Sequence, residues 1–480
     1  MATKTTLNAK NLEALGAQRL AELLIEISTG NAAHKRRLRL ELAGNHSSAE
    51  IARQVRKRLS SIARARTFID WRKLKATKLD LETQRKMIVE TVAKDDPAEA
   101  FDLVWQFLAL AESIFARSDD GSGTLIQSFH QACNDAGVLA KTANVDHDLL
   151  AEKAFKAVQD NGYGQFDSLI TAMAPALGNA GLESLKALFI AWSKEPKEKP
   201  ARTGRKIVGW SSRGEIYEDE VFGRHKDRTI SHGLQEIADA QGDVDAYIAL
   251  QPEKTRAAPM VAAEIANRLI SAGRAEEALA ALDKVDAEGH NDVPFDWQLA
   301  RVEALEALER EDEAQAYRWQ CFEQSLSDGH LRAYVRRLPD FDDLEAEEKA
   351  FAYAQGFPDV HRALYFFLRW PSPAEAAKLL IKRRLELDGD HYELLTPAAE
   401  VLSEKHPLAA TIVLRAMVDF TLESARASRY KHAARHLAEC RSLAMQVDDF
   451  EAIGSHEAYV ASLRRDHGRK TGFWSLVSSS

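Results

Sequence analysis

The sequence predicts an all-α protein: a helical-repeat solenoid preceded by an N-terminal helical domain. Three observations predict it. Apolar residues recur at helical spacing through most of the 480 residues. Breakers are scarce, with 24 Gly and 13 Pro, in a chain rich in Ala, Leu, Glu and Arg, which favour helix. Ala-rich phrases, each following a short polar turn, return at a roughly constant step. Helix above about 60% is expected, against a globular average near one-third.

The elements follow in chain order. "RLAELLIEIS" (19–28) sets Leu20, Leu23, Leu24 and Ile27 at helical spacing. "SSAEIARQVRKRLSSIARA" (47–65) reads as a helix with Ser48 as N-cap and Glu50 in its first turn. "DDPAEAFDLVWQFLALAESIFARSDD" (95–120) opens on an Asp-Pro start and runs to the break at "DDGSG". Residues 1–193 are thus expected to form one helical domain. Residues 194–233 are charged, with Pro and Gly and no sustained period, and read as a linker or long excursion. A short hairpin is expected nowhere else. Helix resumes at 234–251, opening a second domain, 234–480.

In that domain Ala246, Ala278, Ala314, Ala377, Ala410 and Ala434 mark successive units. Their steps are 32, 36, 63, 33 and 24 residues. The 63 is about twice the common step and implies a degenerate unit near 340–368. A period near 34 with a small residue at the helix contact resembles tetratricopeptide repeats, and "AEEAL" (275–279) resembles their second helix.

"QEIADAQGD" (235–243), "RYKHAARHLAEC" (429–440) and "HEAYVASLRRDHGRKTGFW" (456–474) resemble the C-terminal half of an uncharacterised bacterial family, a domain of unknown function. "AEIARQVRKRL" (49–59) and "FIDWRK" (68–73) resemble its N-terminal half. The resemblance spans most of the chain. It implies a helical, cytosolic, bacterial protein and supplies no reaction, ligand or catalytic residue.

Composition narrows the class. The chain is 45% hydrophobic and 29% charged, as soluble globular proteins are. Cys133, Cys321 and Cys440 lie far apart and imply no disulfide framework, so a reducing cytoplasm is expected. The first 20 residues hold no apolar signal region. Runs such as "ALYFFL" (363–368) fall far short of the roughly 20 residues a membrane span needs. Net charge is −9, unevenly spread. Between Lys35 and Lys78, 14 Lys and Arg face three acids, a local +11, which leaves −20 elsewhere.

On a helical wheel from Ile51, at about 100° per residue, Val55, Leu59, Ile62 and Ile69 cluster on one side. Arg53, Lys57 and Arg64 fall on the opposite side, a possible anionic-partner face. Arg58 and Arg66 land near the apolar sector and call for snorkelling, an acid partner or a helix break. "AHKRRLRLELAG" (33–44) followed by "NHSSAE" has the form of the first helix and turn of a helix-turn-helix. A pI near 6.0 speaks against a dedicated nucleic-acid binder. The cationic face could also pair with the acidic remainder of the chain.

Candidate chemistry yields to structural readings. His432, His436 and Cys440 step by four along "YKHAARHLAEC", but Tyr430, Ala433, Ala434, Leu437, Cys440 and Ala444 form an ordinary core stripe. Cys440 also lies about 12 Å along the axis from His432, so one ion cannot be shared without strain. "HEAYV" (456–460) lacks the second His of a zincin. "DDGSGTL" (119–125) puts Gly121 and Gly123 where a calcium loop needs oxygens, and reads as a turn before a helix. No Walker Gly-Lys-Ser/Thr and no Gly-x-Ser-x-Gly is present. In the tail, Phe473 and Trp474 beside Arg469 and Lys470 are expected to dock back on the body. No catalytic residue, cofactor or metal is therefore expected. The expected function is a cytoplasmic scaffold or adaptor that binds another protein. The alternative is nucleic-acid or anionic-partner binding through the basic N-terminal helices.

Overall fold

The computed structural model describes residues 7–30, 34–35, 38, 47–195, 207–211, 214–285, 293–450 and 453–478. Most of the described residues are helical. The chain divides into two compact units, Met1–Arg256 and Ala257–Ser480.

In the first unit, α1 (Ala9–Glu13) is capped by the Asn8 side chain, which accepts from the Asn11 amide. α2 (Gly16–Ser28) carries the expected apolar spacing, yet Leu24, Ile25 and Ile27 are exposed. α3 (Ser48–Ala63) starts one residue earlier than its sequence suggests: Ser47, not Ser48, is the cap, accepting from the Ala49 amide at 3.2 Å. Ile51, Val55, Leu59 and Ile62 are buried, as the wheel requires. Ile69 is buried too, but outside α3. It bridges to Ser118 in an extended segment. α4 (Trp71–Met87) is capped by Asp70 and continues into a π turn over Ile88–Val92.

Two partly buried arginines tie these helices through ion pairs. Arg58 donates to Asp80, so the arginine the wheel left unexplained joins α3 to α4. Arg85 binds both Glu82 and Asp135, joining α4 to α6 (Ile126–Thr142). Between them α5 (Pro97–Leu108) opens on the Asp96 cap, as expected. It ends early, and Ala111–Phe115 is a separate short helix. The "DDGSG" turn leads into α6, with the Asp120 carboxylate accepting from the amides of Leu125 and Ile126 at 2.9 and 3.2 Å.

α6, α7 (His147–Gln159) and α8 (Leu169–Lys194) pack together. α8 bends at Gly178, whose φ of 56° and ψ of −175° interrupt the helix after Pro175. Residues 194–233 prove to be more than a linker. β1 (Ile207–Ser211) and β2 (Gly214–Tyr217) form an antiparallel hairpin. α9 (Glu218–Gln241) then packs on α8. At their contact a Cβ on Gly233 would lie 2.5 Å from Phe189 Cζ. Ile230 and Ile237 of α9 join the core of the first unit. That burial, with α10 (Val244–Leu250) following on α9, keeps 234–256 in the first unit. The division therefore falls after Arg256 instead of at residue 233. The proposed first helix of a helix-turn-helix lies largely outside the described residues.

The second unit is a series of helices packed on their sequence neighbours. α11 (Pro259–Ser271), α12 (Ala275–Asp283), α13 (Phe295–Ala307) and α14 (Glu311–Ser325) come first. α15 (Asp328–Val335), α16 (Asp342–Gln355), α17 (Val360–Arg369) and α18 (Pro373–Lys382) continue it. α19 (Tyr392–Leu402), α20 (Pro407–Glu423), α21 (Tyr430–Ala444), α22 (His456–His467) and α23 (Thr471–Ser478) close it. α11 also contacts α13, one helix beyond its partner α12, and α18 contacts α20. Ala278, Ala314, Ala377, Ala410 and Ala434 are all buried, as helix contacts demand. Ala246 is only half-buried and belongs to the first unit. Fully buried Ala350 on α16 falls inside the 63-residue step, 36 residues after Ala314 and 27 before Ala377. The tail docks back, with Phe473 fully buried against Tyr430 and the Trp474 indole donating to the His467 carbonyl.

Gly137 on α6 meets the backbone of α8, where an added Cβ would lie 2.0 Å from the Ala172 carbonyl oxygen. Backbone cannot swing aside as a side chain can. Gly137→Ala is expected to cost about 1–3 kcal/mol or more by overpacking. Urea unfolding of the variant beside wild type checks this, and an unchanged midpoint refutes it.

Candidate anionic-partner face and polar cleft

α3 presents Arg53, Lys57 and Arg64 (the residue after its last turn) to solvent, while its apolar residues are buried. The three are not equivalent. Arg53 is clamped by Glu50, with Nε and Nη2 donating at 2.9 and 2.8 Å. Arg64 Nε donates to the Ser60 carbonyl at 3.1 Å. Among the described residues, no carboxylate reaches Lys57 or Arg64. Of the neighbouring cations, Arg56 pairs with Glu99 at 2.5 Å and Arg58 with Asp80. These two serve the fold and leave the face to the others. Arg66 follows the end of α3 and is exposed, so the helix break accounts for its position on the wheel.

The structure extends the face beyond what the sequence singled out. The 64–75 segment turns from α3 into α4 and displays Phe68 and Trp71, 57% and 70% exposed. The Arg72 guanidinium lies 5.1 Å from the Trp71 ring centroid. Ile69 holds the turn, its amide donating to the Arg117 carbonyl at 2.8 Å. Asp70 anchors the start of α4 by accepting from Arg72 N at 2.9 Å.

A second feature sits elsewhere in the first unit, in a region the sequence left as linker. α9 faces the 160–168 loop across an open cleft of about 620 Å³. His225, Arg228, His232 and Glu236 line it from α9, and Asn161 and Asp167 from the loop. The loop is internally fastened. Asn161 accepts from the Phe166 amide and donates to Asp167, and buried Gln165 donates to the Asp160 carbonyl at 2.9 Å. Burial pushes the Glu236 carboxyl up to about 8, and Asp167 and Asp239 push the same way, while the Thr171 hydroxyl, donating at 3.3 Å, opposes them. Buried Cys133 lies behind the loop, its thiol raised to about 12 by burial, far from the thiolate form that reacts. The polar spacing of residues 225, 228, 232 and 236 was the available signal. It was masked by the flanking Pro, Gly and charge.

On α21 the structure separates the two histidines of "YKHAARHLAEC". His432 is exposed, whereas His436 is buried, with Nδ1 3.3 Å from the Glu439 carboxylate. Cys440 is fully buried among apolar neighbours, and burial raises its thiol to about 12. Among the described residues, no group of three His, Cys, Asp or Glu is placed to hold a metal ion. No described helix is long and apolar enough to cross a membrane.

Fold and surface together define a predominantly helical protein whose described residues include an exposed cationic face on α3. The chain belongs to a family of unknown function (DUF6880), whose model matches residues 2–476. No curated protein matches. A solved structure described as "Circular tandem repeat protein with novel repeat topology and enhanced subunit contact surfaces" aligns over 99% of this chain and 95% of that one, at 14% identity and a TM-score of 0.13.

Two outcomes are expected. The folded Glu236 carboxyl holds its proton up to about 8, against an ordinary value of 4.5. Its pKa is raised on folding, so its contribution is fully present below about 4.5 and is lost as pH rises toward 8. Glu236→Gln removes that loss and should stabilise the protein at pH 8 by up to roughly 3 kcal/mol, with little effect at pH 4.5. Equal shifts at both values, by urea unfolding, would overturn this. For α21, elemental analysis of untagged protein should find well under one zinc per chain. One zinc lost on His436→Ala would reverse the reading.

Proposed function

We propose that the protein is a non-catalytic helical-repeat adaptor that binds another polypeptide in the cytoplasm, with a tetratricopeptide-like second unit. The supporting observation is the second unit's run of neighbour-packed helices with buried Ala at their contacts. Arrays of this kind offer extended surfaces, and their usual work is to hold other chains. Fold alone does not fix function, so a surface must carry the claim. At the start of α16, Phe341 is 81% exposed with a left-handed φ of 77°, and Leu344 beside it is 58% exposed. Both sit among Asp340, Asp342, Asp343 and Glu345. An exposed aromatic in that backbone region is doubly unfavourable in isolation, and a partner's apolar pocket with a basic rim would relieve the exposure.

The test is affinity capture from native lysate with wild type and with Phe341→Asn plus Leu344→Asn. Asn adopts the left-handed region more readily than Phe, so the fold should be kept. The expected result is at least a tenfold loss of one co-captured polypeptide with unchanged thermal unfolding. Full retention by the variant overturns this surface.

A second reading, binding of a polyanion by the first unit, is favoured by one observation: Lys57 and Arg64 share an exposed face with no carboxylate partner among the described residues. Lys57→Glu plus Arg64→Glu should abolish retention on a heparin column at low salt. Equal retention would remove the reading.

A further inference from the structure

We propose that the 64–75 segment is a single-stranded nucleic-acid site, with Phe68 and Trp71 stacking on bases and Lys57, Arg64, Arg66, Arg72 and Lys75 meeting phosphates. The proposal rests on the polyanion reading above and gives it a ligand class. Its first support is the pairing of two large exposed rings with exposed cations in one short stretch. Phe68 and Trp71 are 57% and 70% exposed, and all five cations are exposed. Scattered exposed apolar residues are common, but two aromatics interleaved with Arg and Lys form the platform that unpaired bases use.

The second support is rigidity. The turn that shows the rings is not loose. Ile69 is buried and bonded on both sides, its amide to the Arg117 carbonyl at 2.8 Å and its carbonyl to the Asp119 amide at 3.3 Å. Arg117 Nη1 also donates to the Thr67 carbonyl at 2.9 Å. Extended backbone alternates sides, so anchoring Ile69 inward sends Phe68 outward. Asp70 then caps α4 and puts Trp71 at its first position, with Lys75 one turn further on the same side. The rings are held in place without being covered.

The third support is charge. The carboxylates nearest in sequence are occupied: Asp70 with Lys73 at 3.4 Å, Glu50 with Arg53 and Asp80 with Arg58. Among the described residues none reaches Arg66, Arg72 or Lys75. Arg72 instead stacks on Trp71 at 5.1 Å, the mixed cation and ring surface that suits a base followed by its phosphate. A duplex hides its base faces in the stack, so it can use the cations and not the rings. The rings therefore favour a single strand.

The test uses the full chain and fluorescence anisotropy with labelled 20-nucleotide oligo(dT) and oligo(U), a duplex of equal length, and heparin as competitor. Single strands should bind more tightly than the duplex. Log K should fall against log salt with a slope near −3.5, about −0.7 for each of five phosphates. Phe68→Ala plus Trp71→Ala should weaken single-strand binding roughly 5- to 150-fold per lost stack, while leaving the salt slope and duplex binding unchanged. Phe68→Tyr plus Trp71→Phe keeps the ring faces and should bind nearly as wild type, which separates stacking from a folding defect. An alanine variant that binds single strands as tightly as wild type overturns the stacking site and leaves the polyanion reading intact. A wild-type chain that binds neither strand, duplex nor heparin overturns both. Preference for a poly-glutamate peptide over any oligonucleotide overturns the nucleic-acid assignment in favour of an acidic protein partner.

Discussion

The architecture depends on helices that approach closely enough to admit only small side chains between them. Ala278, Ala314, Ala350, Ala377 and Ala410 fill such contacts in the second unit, each with little or no exposed surface. Where even Ala is too large, Gly takes over. A Cβ on Gly137 would lie 2.0 Å from the Ala172 carbonyl oxygen of α8, and one on Gly233 would strike the Phe189 ring. Close approach maximises dispersion contact along both helices, and it leaves no room there for a side chain that does chemistry. Functional groups on such a frame must sit at helix ends, in loops or on outer faces. The cationic face of α3, the rings beside it and the loop-lined cleft all do.

Several charged groups that enter the interior are held by specific partners, since an unpaired buried charge is costly. Arg318 is nearly fully buried and pairs with Glu306. Arg415 donates to the carbonyls of Ile453 and Gly454 at 2.8 and 3.2 Å and lies 4.3 Å from the Tyr459 ring centroid. The Tyr459 hydroxyl in turn donates to Asp419 at 2.6 Å. Burial pulls the Arg415 guanidinium down and pushes the Asp419 carboxyl up. His330, bonded to Gln298 at 2.9 Å, is pulled by burial to about 4. Its value is lowered on folding, so stability linked to it is lost as pH falls from about 6.5 to about 4. Glu236 in the first unit works in the opposite sense. Asp419, raised by burial, works in the same sense as Glu236, so the second unit alone carries groups that respond to pH from both sides.

Much of this was legible in the sequence because periodicity reports burial. The apolar side of α3, the buried alanines and the docking of Phe473 all follow from spacing and composition. What stayed hidden was set by distant partners or by competition between local signals. Arg58 sits at a position the wheel could not explain because its partner, Asp80, is 22 residues away. α5 ends at Leu108 with no Gly or Pro to announce it. The charged stretch 194–233 looked like a linker because half of α9 is polar. That polarity belongs to the side lining the cleft, and only contact with Phe189 and the core reveals the helix as part of the first unit.

Charge counting shows the same limit more sharply. The excess of +11 between Lys35 and Lys78 suggests one uniform basic block. The folded chain sorts it. Arg53, Arg56, Arg58 and Lys73 are each committed to a carboxylate, two of them across helix contacts that the first unit needs. Lys57, Arg64, Arg66, Arg72 and Lys75 have no carboxylate among the described residues and remain exposed. A cation in an internal pair has already exchanged its counterions for a fixed partner and has little left to gain from a phosphate. An unpaired surface cation still holds mobile counterions, whose release on binding is favourable. Among the described residues of the block, Arg64, Arg66, Arg72 and Lys75 have no carboxylate partner, and they lie in the same short stretch as the two exposed rings of the α3–α4 turn.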